Sequence, residues 1–487
     1  MSPISEQLQC YKSIGISTDE TWLTVFALVT GVWAWEYVEK DVPTKMPDSR
    51  GRIPATLGHS DALSFWLAVL LTGIGTGLAG AGLTRLLETV QHLVWGGTGT
   101  NLLDAAEHSD AWRHVLVLLG AGLVTGAGQI MLKTLSSANG IDTTAAIWFH
   151  AGRMPSWRTL GSALLSVIIV GMGASLGREG APKQAGAVFA NFFSNRGRLS
   201  DERRRLLVAC GAGAGMSAAY GVPLGGALFA LEVMRGVLAL RYVLPALFCS
   251  VVAAAVSWLF LPDAATYMVP PYPSSLSIML WALLAGPIAG LVSVGYVRAV
   301  TWADQTKPQG WRRLMAPVVA LGLLGVVSIR FPQLLGNGKD ISQLAFTNQV
   351  APALALMLLA LKPAATLLCV RSGAPGGLFT PTLTAGALLG AVLGHAWSWV
   401  WPGVPPGLFA LLGAAALVAA TTQGPISTVI LMMELTGRDR SFIAPMILAV
   451  ATATLVARTI EPRSIYDARL TTEEIAERQK ARELPPR

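Results

Sequence analysis

One short pattern occurs twice in this chain, 200 positions apart, and each copy lies within an apolar stretch of the kind found in membranes. The first copy reads Gly177-Arg178-Glu179-Gly180-Ala181, with Ala185-Gly186-Ala187 after it. The second reads Gly377-Leu378-Phe379-Thr380-Pro381, with Ala385-Gly386-Ala387 at the same distance. A further echo follows, because Pro223 precedes Glu232 by nine positions as Pro425 precedes Glu434. Two halves built on one plan, each with a glycine-broken helix start at membrane depth, point to a transporter whose binding site lies between internal repeats.

Composition agrees. Of 487 residues 53% are hydrophobic and only 13% charged, whereas about a quarter are charged in soluble domains. A crossing helix needs about 20 apolar residues, and candidate spans cover 63–84, 113–132, 158–176, 204–219, 241–261, 277–302, 314–330, 352–370, 404–422 and 441–458. Shorter apolar pieces lie at 182–194, 223–234, 377–398 and 425–436, several of them too short or too glycine-rich to cross alone. The expected fold is therefore an all-α polytopic membrane protein made of two repeats of tilted and discontinuous helices, whose helix starts meet at the midplane if the two repeats have inverted topology. The expected segments are an N-terminal stretch and linker at 1–60, a first transmembrane repeat at 61–262, a second at 277–460, and a cytoplasmic tail at 461–487. A proline-rich connection with Pro262, Pro270, Pro271 and Pro273 separates the repeats.

The net charge is +8, but its basic residues sit in short connections such as Arg196, Arg198, Arg203, Arg204 and Arg205. That is the positive-inside pattern of a multi-pass inner-membrane protein, and it excludes nucleic acid as the partner. Cys10, Cys210, Cys249 and Cys369 are widely spaced, and His92, His108, His114 and His150 lack ligand spacing, so neither a metal nor a cofactor is expected.

The chemistry concentrates in the glycine motifs. Glycines flanking Arg178 and Glu179 break the helix inside the bilayer and leave peptide N–H groups free at a new helix start, where the dipole favours an anion. A carboxylate placed there occupies the anion's own position until protonation releases it. The second copy offers the same donors from the other half with uncharged side chains, and the amides of Leu378 and Phe379 can replace part of an anion's hydration. A third element, Ser136-Ser137-Ala138-Asn139-Gly140-Ile141-Asp142, brings a turn and a helix start near Asp142. Glu232 and Glu434 either relay protons or, with more weight, hold helix ends through hydrogen bonds.

Gly-Arg-Glu-Gly, followed by Gly373-Ala374-Pro375-Gly376-Gly377-Leu378-Phe379-Thr380-Pro381, resembles the CLC family of chloride channels and proton/chloride antiporters, of the bacterial type. The resemblance covers about 61–470. It implies a homodimer in the lipid bilayer with one anion pathway per subunit. By the same resemblance Glu179 is the gating glutamate and proton acceptor, with Gly177, Arg178 and Gly180 as its motif partners. Leu378 and Phe379 hold the central anion, and Tyr466 closes the inner side. Asn139 falls where most chloride-carrying members have serine, and fluoride-exporting members tend to carry Asn or Met there. Val233 stands at the inner proton glutamate of many exchangers, as it does in channels.

The function implied is transport of chloride or another small anion through a path gated by Glu179, passive or weakly coupled to protons. Proton-coupled fluoride export is the alternative. A membrane-embedded enzyme is the reading from another class, and no nucleophile paired with a base supports it.

Overall fold

A computed structural model describes residues 62–96, 101–135, 142–272, 275–437, 442–467, 470 and 473–474. The first half contains α1 (Ala62–Trp95), α2 (Leu102–Glu107), α3 (Ala111–Leu135), α4 (Thr143–Phe149), α5 (Ser156–Gly171), α6 (Gly180–Arg196) and α7 (Asp201–Tyr220). It continues with α8 (Pro223–Phe229), which runs into a π-helical turn (Ala230–Arg235), and α9 (Leu240–Trp258). The second half contains α10 (Leu276–Gln305), α11 (Arg312–Ser328), α12 (Lys339–Phe346), α13 (Pro352–Ser372), α14 (Phe379–Val400), α15 (Pro406–Thr422), α16 (Pro425–Thr436) and α17 (Ile443–Ile460).

One packing plan recurs in both halves. α6 packs on α7 as α14 packs on α15, α7 on α9 as α15 on α17, and α1 on α9 as α10 on α17. The halves meet where α3 packs on α11 and α8 on α16. α15 is buried from Gly407 to its end and α7 from Leu206 to its end, as helices apolar on all sides must be.

Among the described residues, seven helices are long and apolar enough to cross a membrane: α1, α3, α9, α10, α13, α14 and α17. The predicted runs at 158–176, 314–330 and 404–422 form shorter helices, α5, α11 and α15, of 16, 17 and 17 residues. The piece at 377–398, grouped with the short runs, instead belongs to α14, an unbroken helix of 22 residues. Its glycines serve a close crossing rather than a break: a Cβ on Gly386 would lie 2.6 Å from the Gly413 carbonyl of α15.

The breaks come just before the motifs. α5 and α13 each give way to a glycine with left-handed backbone, Gly173 (φ +110°) and Gly373 (φ +89°), a conformation that side chains resist. Four residues beyond each, the two segments touch. Gly177 N–H donates to the Gly377 carbonyl at 2.7 Å, and Gly377 N–H donates back to Gly177 at 2.8 Å, as an antiparallel bridge. Equivalent residues pairing reciprocally across the junction is the arrangement expected when one half is turned over relative to the other.

Candidate functional site

α6 starts immediately after Gly177-Arg178-Glu179 and α14 after Gly376-Gly377-Leu378, so two helix starts meet at the bridge. Their first-turn N–H groups lack intrahelical acceptors and carry the positive end of the helix dipole. Glu179, 0% exposed, makes no side-chain cap on its own helix. Its carboxylate reaches into the other half. Oε1 accepts from the Phe379 N–H at 2.7 Å and, more weakly, from the Thr380 N–H at 3.4 Å. Oε2 accepts from the Thr380 hydroxyl at 2.9 Å and the Tyr220 hydroxyl at 3.2 Å. Those two hydroxyls lie 2.8 Å apart, so two hydrogens serve three oxygens.

The glycines make this reach possible. A Cβ on Gly177 or on Gly377 would overlap the Glu179 carboxylate, and one on Gly180 would lie 2.9 Å from the Gly377 nitrogen. Arg178, next to Glu179 in sequence, is not its ion-pair partner. Its guanidinium lies 4.7 Å from the centre of the Tyr220 ring and donates to the Ala219 carbonyl at 3.4 Å. The segment before α6 is braced from the second half. Gly336 N–H donates to the Gly173 carbonyl at 2.9 Å, and the buried Lys362 ammonium donates to the Leu334 and Gly336 carbonyls, each at 2.9 Å.

A small cavity of about 40 Å³ lies against the two helix starts, lined by Asp142, Gly180, Lys183, Leu378, Ile465 and Tyr466 among others. On this measure a single water needs about 10–15 Å³. Asp142 caps α4, its carboxylate accepting from the Thr144 N–H at 2.8 Å. Tyr466 is positioned by the chain leading out of α17. Glu461 pairs with Arg298 at 2.9 Å and with Arg463 at 2.8 Å. Ile465 N–H donates to the Thr421 carbonyl at 2.8 Å. The Tyr466 ring then stands edge-on to Phe229, with centroids 5.7 Å apart. Hydrogen bonds from Arg463 and Arg298, the former the stronger influence, outweigh partial burial and hold the Glu461 carboxyl down to about 2.

Glu232 and Glu434 act as reciprocal caps. Glu232 accepts from the Ile426 and Ser427 N–H groups at the start of α16, at 3.1 and 2.6 Å. Glu434 accepts from the Leu224 and Gly225 N–H groups at the start of α8, at 2.9 and 2.6 Å. Of the two readings drawn from sequence, these contacts are those of the hydrogen-bonded helix end. Val233 is buried, 2% exposed, in the π-helical turn behind Glu232.

Of the residues singled out in the sequence, Gly177, Glu179, Gly180, Gly377, Leu378 and Phe379 come together here, with Arg178 at the edge and Tyr466 across the cavity. Asn139 lies outside the described residues. Sequence reasoning did not single out Tyr220, or Thr380 as a ligand of the carboxylate. Thr380 carried a signal, as a hydroxyl in the first turn of a motif helix. Tyr220 carried none, since its 41-residue separation from Glu179 is bridged only by the fold.

Residues 121–458 match the family model described as voltage gated chloride channel. The chain is 30% identical over 412 residues to a voltage-gated ClC-type chloride channel, ClcB, of Citrobacter koseri, covering 82% of this chain and 97% of that one. It is 30% identical over 420 residues to ClcB of Escherichia coli O157:H7, again covering 82% and 97%. Among solved structures it is similar to a slow cyanobacterial Cl-/H+ antiporter, with a TM-score of 0.73, 21% identity, and coverage of 86% of this chain and 99% of that one. It is also similar to a CLC-type fluoride/proton antiporter, with a TM-score of 0.67, 21% identity, and coverage of 84% and 98%.

Proposed function

The chain belongs to the CLC family of voltage-gated chloride channels and transporters, and from that premise we propose that it carries chloride across the membrane through a path gated by Glu179, passively or with weak coupling to protons. Family membership makes it a membrane-embedded anion transport protein of bacterial inner-membrane type, and removes the enzyme reading. The single observation that carries the gating role is the Glu179 carboxylate accepting the Phe379 N–H of the opposite half at 2.7 Å. A carboxylate there is a tethered anion. It competes with a free anion for the same donors, and each charge-assisted bond it gives up is worth about 1.5–3 kcal/mol.

Protonation removes the charge for which those donors are arranged. The neutral side chain then leaves and chloride takes the Phe379 and Thr380 donors, with partial charges that bind firmly enough for access and loosely enough for release. Leu378 and Tyr466 line the cavity where the anion next rests. Val233 offers no proton on the inner side, which supports conduction or loose coupling over tight exchange. The same reading takes the protein as a homodimer with one path in each subunit. Proton-coupled fluoride export is the second reading, and the observation favouring it is Asn139, at the position where the family resemblance puts serine in chloride carriers.

The test is efflux from proteoliposomes loaded with chloride or fluoride, followed with an ion-selective electrode while external pH is recorded. Chloride efflux with little or no proton counter-movement is the expected result. Stoichiometric proton uptake would replace it with an exchanger, and fluoride efflux alone with the second reading. In the same assay Asn139→Ser should move the chloride-to-fluoride ratio toward chloride by several-fold, and an unmoved ratio would remove Asn139 from the path.

A further inference from the structure

Lys362 lies inside α13, 1% exposed, and its ammonium meets three consecutive backbone carbonyls. It donates to Leu334 at 2.9 Å, Leu335 at 3.4 Å and Gly336 at 2.9 Å, at the end of the 3₁₀ turn Pro332–Leu334. Three acceptors match the three N–H groups of a charged lysine, whereas a neutral amine has only two to give. A cation at membrane depth is costly unless compensated, and it marks function by default. What Lys362 holds leads to the gate. Gly336 N–H donates to the Gly173 carbonyl at 2.9 Å, and a Cβ on Gly173 would lie 3.3 Å from the Leu335 side chain. Gly173 is the left-handed break ahead of Gly177, where Gly177 and Gly377 pair. Cys369, two turns further along the same face of α13, interacts with the backbone of Ser175 in that segment. The helix itself ends just before Gly373, the break ahead of the second motif. α13 thus leads at its end to the Phe379 donor and holds along its side the approach to Glu179.

We propose that Lys362 is a positioning residue of the gate, fixing the segment 173–177 to α13 so that the Glu179 carboxylate meets the Phe379 N–H in register. The inference rests on the gating reading and deepens it. Without the ammonium, the carbonyls of residues 334–336 lose these buried donors, a cost that the turn escapes only by moving. Gly173 moves with it and the carboxylate loses its alignment, and a hydrogen bond weakens steeply once bent. The charged, closed state is the one that suffers, because the neutral, displaced side chain makes no use of the alignment. Loss of Lys362 therefore favours opening at neutral pH and leaves flux in acid as it was. The second break is braced by neutral chemistry: the Gly373 carbonyl accepts from the Gln129 amide, which in turn accepts from Arg313 at 2.9 Å. The ionisable groups acting on Lys362 are Cys369 of its own helix and Asp340 of α12, whose carboxylate accepts the Leu103 N–H at 3.0 Å. Those around Glu179 are Arg178, Tyr220 and, from α10, Tyr296. A substitution at Lys362 leaves each of them in the chain.

The experiment follows chloride flux from liposomes across pH for wild-type protein and Lys362→Met, which keeps the apolar stem, each also in the Glu179→Gln background. Lys362→Met should raise flux at neutral pH about threefold or more, as a weakened hydrogen bond to a charged group implies. The midpoint of the profile should move to higher pH by the equivalent amount, about half a unit or more, with acid flux unchanged. In the Glu179→Gln background the same substitution should alter neither, since no carboxylate remains to be misplaced; this coupling separates positioning from a general loss of packing. A wild-type profile in Lys362→Met, an equal fall in flux at every pH, or the same rise with Glu179→Gln present overturns the proposal. Should Lys362→Met fail to fold, Lys362→Gln, which keeps two amide donors, decides. A smaller shift in the same direction supports the brace, and no shift removes it. Wild-type flux that ignores pH, or a Glu179→Gln profile like that of wild type, would instead defeat the underlying gating reading.

Discussion

Among the described residues, three glutamates cross from one half of this protein to a helix start in the other, and only two of them are answered in kind. Glu232 caps α16 in the second half and Glu434 caps α8 in the first, each taking two backbone N–H groups at 2.6–3.1 Å. Glu179 caps α14 in the same manner, but the equivalent position of the second motif is Phe379, which returns no carboxylate to α6. The answered pair ties the halves together symmetrically. The unanswered one places a lone negative charge among donors that a diffusing anion can also use. On the proposed reading, identical local chemistry serves as a fastening in one place and as a gate in another. The difference lies in whether the internal symmetry is kept.

The largest effect should come from removing the charge at the asymmetric position. Glu179→Gln should flatten the pH dependence of anion flux. On the proposed reading, wild-type flux should rise as pH falls, because protonation would free the helix start, by about tenfold or more for one lost charged hydrogen bond. In the variant it should stay at the low-pH level throughout. A variant that still responds to pH like wild type would leave Glu179 no different in role from the other two.

Next come the fastenings. Glu232→Ala and Glu434→Ala should each cost about 2 kcal/mol of stability, read as a lower unfolding transition of the detergent-solubilised protein, while the pH profile of flux keeps its shape. A changed pH profile in either would erase the contrast and return these carboxylates to proton transfer. The smallest effect is expected from Tyr220→Phe, which removes one hydroxyl donor from Glu179 Oε2. It should loosen the closed state by about 1 kcal/mol, seen as a several-fold rise in flux at neutral pH and little change in acid.

Much of this was legible in the sequence because membranes restrict what a chain can do. The apolar runs, the doubled glycine motif and the Pro-to-Glu spacing are local features, and the structure puts a helix, a break or a cap at each. Glycine was harder to interpret. In α14 Gly386 lies inside an unbroken helix because it faces the backbone of α15, whereas Gly373 ends α13 because its φ is positive. The sequence shows the same residue in both places, and only a neighbour's distance tells them apart. Contacts such as Tyr220 with Thr380, 160 residues apart, were beyond local pattern for the same reason.

The long separations behind the crossed caps also bear on how such a chain is made. Glu179, Glu232 and the start of α8 all lie in the part synthesised first, yet their partners are 200, 194 and 210 residues further on. Until then two carboxylates and an uncapped helix start are committed to the bilayer without compensation. Contacts so distant in sequence are slow to form, since the cost of closing the loop precedes any gain. The Glu179 contact with α14, which the proposed reading takes as the gate, can therefore be assembled only when the second half arrives to receive it.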